Sequence, residues 1–265
     1  MLTFWCATCA EPADEAHYAP WSPCESGITP GHIRNILTHG DGRPQTGWSV
    51  TQIKGCLRSV IIERTMDVVV DPAAYLLMEL GTAWDAHVTR HEEAKPRWRG
   101  ALGGLKISGE PDGHNIELIG RDDEPVTWHS NGELPIIWDY KNGTPPRAGV
   151  WPDHRWQVSV YAMLSPYAFD HGYIYYNSYG GKAGKVCKRR FELIRDENAL
   201  LDHEIYKGYT VRDNIKLAIG HKGSNARAAA YPLTGQSISM GKKTLCDYCT
   251  VRDACEELEG GGVGI

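Results

Sequence analysis

Three stretches of this sequence have residue types and spacing that can do chemistry together. The first runs Ser108-Gly109-Glu110-Pro111-Asp112, and the second, after an apolar segment, runs Ile136-Ile137-Trp138-Asp139-Tyr140-Lys141. Hydrolysis of a phosphodiester needs a cation held by carboxylates, which activates water and neutralises charge on the phosphate oxygens. Oxygen ligands suit Mg2+ or Mn2+. Alternate side chains of a strand share a face, so Asp139 and Lys141 should project together while Trp138 and Tyr140 point away. An ammonium beside a metal-bound carboxylate can orient or deprotonate water and stabilise the charged transition state. The third stretch, Gln157-Val-Ser-Val-Tyr161, sets an amide and a phenol four residues apart, on one face of a helix beginning near Asp153. Taken singly, these patterns are common: a surface hairpin with a salt bridge, a turn, a decorated helix. Their order and the strand signals between them point to a nuclease.

Eight cysteines, several in C-x2-C spacing, read as metal ligands and not as a disulfide framework. Cys246, Cys249 and Cys255 follow C-x2-C-x5-C. Three thiolates so close need a fourth ligand, for Zn2+ and for a cubane iron–sulfur cluster alike. Cys56, far upstream, is the natural fourth. Joining it to residues 246–255 closes a loop of nearly the whole domain, which suits a structural staple better than an electron carrier. A second set, Cys6, Cys9, His17 and Cys24, has the spacing C-x2-C-x7-H-x6-C, compatible with tetrahedral Zn2+; the alternative is a loosely structured arm carrying thiols. Cys187, alone in an expected strand, reads as packing.

The elements that position these residues can be read from periodicity. Residues 1–47 are rich in Pro, Gly, His and Cys and predict an irregular arm around a short helical piece near His32–Leu37. Ser49 and Gln52 have the form of a capping box, opening a helix through about Ile62 that carries Cys56. A second helix is expected from Pro72 to about Arg90. Apolar segments Leu105–Ile107, Ile116–Ile119 and Leu134–Trp138 predict consecutive strands. A helix over 153–165, strands over Gly172–Ser178 and Lys185–Leu193, and a long helix from about Asp196 to Ala218 should follow.

With Gly109 and Asp112 giving G-x-x-D, Asp139 and Lys141 giving D-x-K, and Gln157 and Tyr161 giving Q-x-x-x-Y, in that order, the chain resembles the RecB-like branch of the PD-(D/E)xK nucleases. The resemblance covers roughly residues 48–257. It implies an α/β fold, a mixed central β-sheet flanked by helices as in restriction endonucleases. It gives Asp112 and Asp139 a metal-ligand role, Lys141 a catalytic role, and Gln157 and Tyr161 a DNA-contact or site-support role. The family usually carries G-x-x-x-H on the preceding helix. Here Gly81-Thr-Ala-Trp-Asp85-Ala-His87 puts Asp85 at the ligand spacing and His87 two residues later, so either could complete the metal shell. CRISPR-associated exonucleases and AddB-type nucleases of the same branch have one cysteine before the nuclease motifs and three after. By that resemblance Cys56, Cys246, Cys249 and Cys255 would hold a 4Fe-4S cluster joining N- and C-terminal segments.

The expected organisation is an N-terminal arm over 1–47 with a candidate zinc site, a nuclease domain over 48–258 and a flexible tail over 259–265. With 265 residues and 42% apolar content the chain can bury a sizeable core. No apolar run reaches membrane-spanning length, and no signal peptide is evident at the start, which predicts a soluble, cytoplasmic protein. Net charge is −5, which does not announce a nucleic-acid binder; Lys182, Lys185, Lys188, Arg189 and Arg190 offer a local basic surface, or simply a solvated face. No helicase phosphate loop is present, so unwinding would need a partner. The expectation is a Mg2+- or Mn2+-dependent DNA exonuclease acting on single-stranded or end-frayed DNA, in recombination, repair, phage DNA processing or CRISPR adaptation. Its partners would be DNA and a helicase, recombinase or CRISPR adaptation protein. The alternative is a non-catalytic adaptor that binds DNA ends, against which stands the joint presence of Asp112, Asp139 and Lys141.

Overall fold

The structure is a computed structural model that describes residues 2–6, 9–12, 17, 24, 47–65, 68–70, 95–121, 124–129, 134–178, 185–206, 208–220, 239–240, 243–244, 249 and 251–259. The expected helices near His32–Leu37 and over 72–90 lie outside these residues, as do Asp85, His87, Lys182, Cys246 and all of the 259–265 tail except Glu259.

In chain order, the first elements are β1 (Leu2–Cys6), β2 (Glu11–Pro12), β3 (Trp48–Ser49), α1 (Val50–Lys54), α2 (Leu57–Thr65) and β4 (Val68–Val70). Strands β5 (Trp98–Leu102), β6 (Leu105–Gly109), β7 (Gly113–His114), β8 (Ile116–Arg121), β9 (Glu124–His129) and β10 (Ile136–Asn142) follow. Then come α3 (Pro152–Leu164), β11 (His171–Ser178), β12 (Lys185–Glu192) and α4 (Glu197–Leu201). The rest are β13 (Glu204–Tyr206), β14 (Tyr209–Thr210), α5 (Val211–Gly220), β15 (Ser239–Met240), β16 (Lys243–Thr244) and α6 (Arg252–Glu259).

The fold is mixed α/β. A four-stranded mixed sheet has the order β12-β11-β10-β7, with β10 and β11 parallel and both outer pairs antiparallel. Parallel neighbours need a crossover, and α3 supplies it. A three-stranded sheet, β3-β6-β5, lies alongside, and α3 packs against strands of both sheets. The helix can do this because apolar residues emerge on more than one side: Trp156, Val158 and Val160 are all fully buried. Helix α1 packs on α3 and α5, and α2 packs on α6. Among the described residues no helix is long and apolar enough to cross a membrane.

Three local features depart from the sequence expectations. The capping box forms: Ser49 Oγ accepts the Gln52 N–H at 3.2 Å, and Gln52 Oε1 accepts the Ser49 N–H at 2.9 Å. The helix it opens, however, stops at Lys54, because the Gly55 backbone turns extended, and Cys56 sits in the break before α2. Carbonyls at a helix end need partners. Here the buried Asn214 amide donates to Ile53 O at 2.7 Å and to Gly55 O at 3.1 Å. The long helix over 196–218 is likewise two short helices around a β13–β14 hairpin. Gly208 takes φ +75° in that turn, and Asp213 Oδ2 accepts both the N–H and the hydroxyl of Thr210, a second helix start. Finally, the N-terminal arm is not wholly irregular, since β1 runs parallel to β4 and antiparallel to β2.

The helix break rests on Asn214. Asn214→Ala removes both amide bonds and leaves buried carbonyls unpaired, so it should destabilise the protein by about 2–3 kcal/mol. Urea unfolding checks this; an unchanged midpoint would mean the carbonyls find other partners.

Candidate functional site

Strand β10 places Asp139 and Lys141 on its inner face. Asp139 is 3% exposed, and the Lys141 ammonium forms an ion pair with its Oδ2. Asp112 lies between β6 and β7; the pairing of Gly113 on β7 with Trp138 on β10 carries it to the same place, and two contacts hold its carboxylate. The Tyr140 N–H donates to its Oδ2 at 2.6 Å, and the Lys95 ammonium donates to its Oδ1 at 2.8 Å. Burial and the negative charge of Asp139 raise the proton affinity of Asp112, outweighing Lys95 and the Tyr140 N–H. The two carboxylates therefore feel each other's charge, as ligands of one cation must. Glu110, between Gly109 and Asp112, faces solvent instead and pairs with Arg97 at 3.2 Å.

Helix α3 closes the site from above. Gln157 Nε2 donates to the Tyr161 hydroxyl at 2.7 Å, a buried i,i+4 bond. Burial and the charge of Asp139 hold the Tyr161 phenol firmly protonated. The helix can come this near because Gly109 has no side chain: a Cβ there would lie 2.5 Å from the Tyr161 ring. His154 on the same helix shares a hydrogen bond with the Tyr176 hydroxyl at 3.1 Å. Burial and the charges of Lys141 and Lys54 lower it to about 3, so its ring is neutral at neutral pH.

Sequence reasoning missed Lys54 and Lys95. Lys54, the last residue of α1, donates to Gln157 Oε1 at 3.4 Å and senses Asp153, Lys141 and Asp139. No motif spacing links it to the other site residues, because its nearest partner is remote in sequence. Of the sequence-predicted residues, Asp112, Asp139, Lys141, Gln157 and Tyr161 are thus brought together, while Asp85 and His87 lie outside the described residues. The basic run on β12 alternates between faces. Arg189 aligns with Ile174, the partner of Asp139, whereas Lys188 aligns with Tyr175 on the opposite face. There Lys188 lies 4.0 Å above the Tyr173 ring and 5.5 Å above that of Tyr175.

Apart from Cys187 on β12, the described cysteines lie in two regions. None of the described ones is in a disulfide. Cys56 immediately precedes α2, Cys255 lies on α6 packed against it, and Arg58 Nη1 is 3.8 Å from Cys255 Sγ. Cys249, half-buried, precedes α6. At the N-terminus, the donor atoms of Cys6, Cys9, His17 and Cys24 all lie within 4.8 Å of one another, a group that could hold a metal ion. The hydrogen bond with Cys24, burial and Cys6 push the Cys9 thiol up to about 12.

No family model and no curated protein matches this chain. A crystal structure of SSO0001 aligns over 85% of this chain and 94% of that one, with 17% identity and a TM-score of 0.45.

Lys54 gives a pH signature. Burial foremost, with the Lys141 charge, lowers it from 10.5 to about 8 against the pull of Asp153 and Asp139. Between those values the unfolded chain binds more protons than the folded one, so the Lys54 contribution to stability rises with pH. Urea midpoints of wild type and Lys54→Met at about pH 7 and about pH 9.5 read this directly. Wild type should gain relative to the variant at the higher pH; a constant difference would mean that Lys54 titrates normally.

Proposed function

We propose that this chain is a divalent-cation-dependent deoxyribonuclease, an exonuclease acting on single-stranded or end-frayed DNA. The observation that carries the reading is the pair of buried carboxylates, Asp112 and Asp139, with Lys141 on the same strand face as Asp139. The donor set fits a hard divalent cation. Asp139 Oδ2 is buried against the Lys141 ammonium, and burial and the neighbouring Asp139 charge push Asp112 toward its protonated form. Bound Mg2+ or Mn2+ would acidify a water and neutralise charge on the phosphate oxygens.

The chain's own residues supply the rest. Asp112 and Asp139 would hold the cation, with Asp85 or His87, by the spacing of the sequence, as a third protein ligand. Lys141 holds its ammonium beside Asp139, where it positions the attacking water and offsets charge that develops on phosphorus oxygens. Lys54 adds a second positive charge at the far side of Gln157. Gln157 and the protonated Tyr161 are hydrogen-bond donors suited to a phosphate or sugar oxygen of the substrate strand. Water attacks phosphorus and gives up a proton to solvent, the P–O ester bond breaks, and the leaving oxygen takes up a proton from solvent.

The same reading gives Cys56, Cys246, Cys249 and Cys255 to a 4Fe-4S cluster. Its support is the sequence spacing together with the packing of α2 on α6, with Cys56 just before the one helix and Cys255 on the other. The cluster would staple the first helices to the C-terminal helix. Protein purified without oxygen should hold about four irons per chain, and Cys56→Ala should lose them and melt earlier. Full iron retention in that variant would overturn the ligand set.

The activity itself is tested with end-labelled single- and double-stranded oligonucleotides in Mg2+, Mn2+ or EDTA. Wild type should degrade DNA only with the metal. Asp139→Asn and Lys141→Ala should each lower the rate by a factor of at least about 10²–10³ while the circular dichroism spectrum stays native. Cleavage by Lys141→Ala at the wild-type rate, or by wild type in EDTA, would contradict the reading.

A further inference from the structure

We propose that Cys6, Cys9, His17 and Cys24 form a structural zinc site that fastens the N-terminal sheet, a site separate from the carboxylate centre and independent of the nuclease reading. The four donor atoms lie within 4.8 Å of one another, and the Cys6 and Cys24 sulfurs are 3.7 Å apart. A disulfide would bring two sulfurs to about 2.0 Å. Two thiolates on one tetrahedral zinc, each about 2.3 Å from the ion, stand about 3.8 Å apart. In a cubane cluster each thiolate binds a different iron, which spreads the sulfurs wider than the ligands of one ion. The spacing therefore selects a mononuclear site, and three sulfurs with one imidazole are a zinc donor set.

The surrounding backbone is shaped for the same purpose. Cys6 ends β1 and is 1% exposed, and the chain folds back at once so that Cys6 aligns with Glu11 on β2. In this turn the Ala10 N–H donates to Cys6 O at 2.8 Å, and Ala10 takes φ 54°. A left-handed alanine is costly and persists where its surroundings over-determine it. Here the turn sets Cys9 beside Cys6. Glu11 then places a carboxylate oxygen 3.4 Å from His17 Nδ1. A carboxylate behind a ligating histidine fixes its tautomer and orientation, as in zinc sites generally. Because β1 also pairs with β4, an ion here would tie residues 6–24 to the strand that leads into residues 71–94.

Full-length protein expressed with zinc in the medium and purified without oxygen tests this by elemental analysis and zinc X-ray absorption. The expected result is about one zinc per chain, with three sulfurs near about 2.3 Å and one nitrogen near about 2.0 Å. Cys24→Ser and His17→Ala should lose zinc or bind it at least about tenfold more weakly in a chelator competition, whereas Cys56→Ser should keep it. Absence of zinc from the wild type, a shell of four sulfurs or of oxygen and nitrogen alone, or zinc held undiminished by Cys24→Ser would each overturn the proposal. The absorption measurement on wild type decides the ligand set even where a variant fails to fold.

Discussion

The Tyr140 N–H donating to Asp112 Oδ2 at 2.6 Å is the contact on which the site depends, because it ties the turn after β6 to the strand that carries Asp139 and Lys141. It acts together with the pairing of β7 on β10, where Gly113, next to Asp112, aligns with Trp138, next to Asp139. The two carboxylates are then close enough that Asp139 raises the proton affinity of Asp112. Two carboxylates in a dry site repel, and the chain offsets this with Lys95 on one and Lys141 on the other.

Helix α3 is the second constraint. It crosses between the parallel strands β10 and β11, buries Trp156 with its indole N–H bonded to Leu200 O at 2.7 Å, and so fixes the height of Gln157 and Tyr161 above the carboxylates. Its approach depends on Gly109, where a side chain would meet the Tyr161 ring. The glycine and aspartate of the G-x-x-D pattern thus do different jobs. Gly109 admits the helix, and Asp112 reaches the strand.

Much of this was legible in the sequence. Apolar segments between turn signals marked β6 and β10, an aromatic-rich run and its hairpin partner marked β11 and β12, and the helical period of 153–165 marked α3. Strand geometry alone paired Asp139 with Lys141. Two predicted helices broke for reasons a periodic pattern does not carry. The break at Gly55 is stabilised by Asn214, a partner remote in sequence, and the split after Leu201 depends on a hairpin turn at Gly208 and a new cap at Thr210. Lys54 and Lys95 stayed hidden for the same reason, since each acts through a distant contact. The N-terminal thiols and histidine were legible as a set, but the pairing of β1 with β4 was not, because the valine run at 68–70 has no period that names its neighbour.

The central claim is that Asp112 and Asp139 jointly bind a divalent cation. Titration of the protein with Mn2+, followed by the loss of the free-ion electron paramagnetic resonance signal, tests it without reference to catalysis. Wild type should bind Mn2+ at a site that Asp112→Asn and Asp139→Asn each weaken by at least about tenfold, as expected when a charged ligand is lost. Mn2+ binding of equal strength in wild type and both variants would contradict the account.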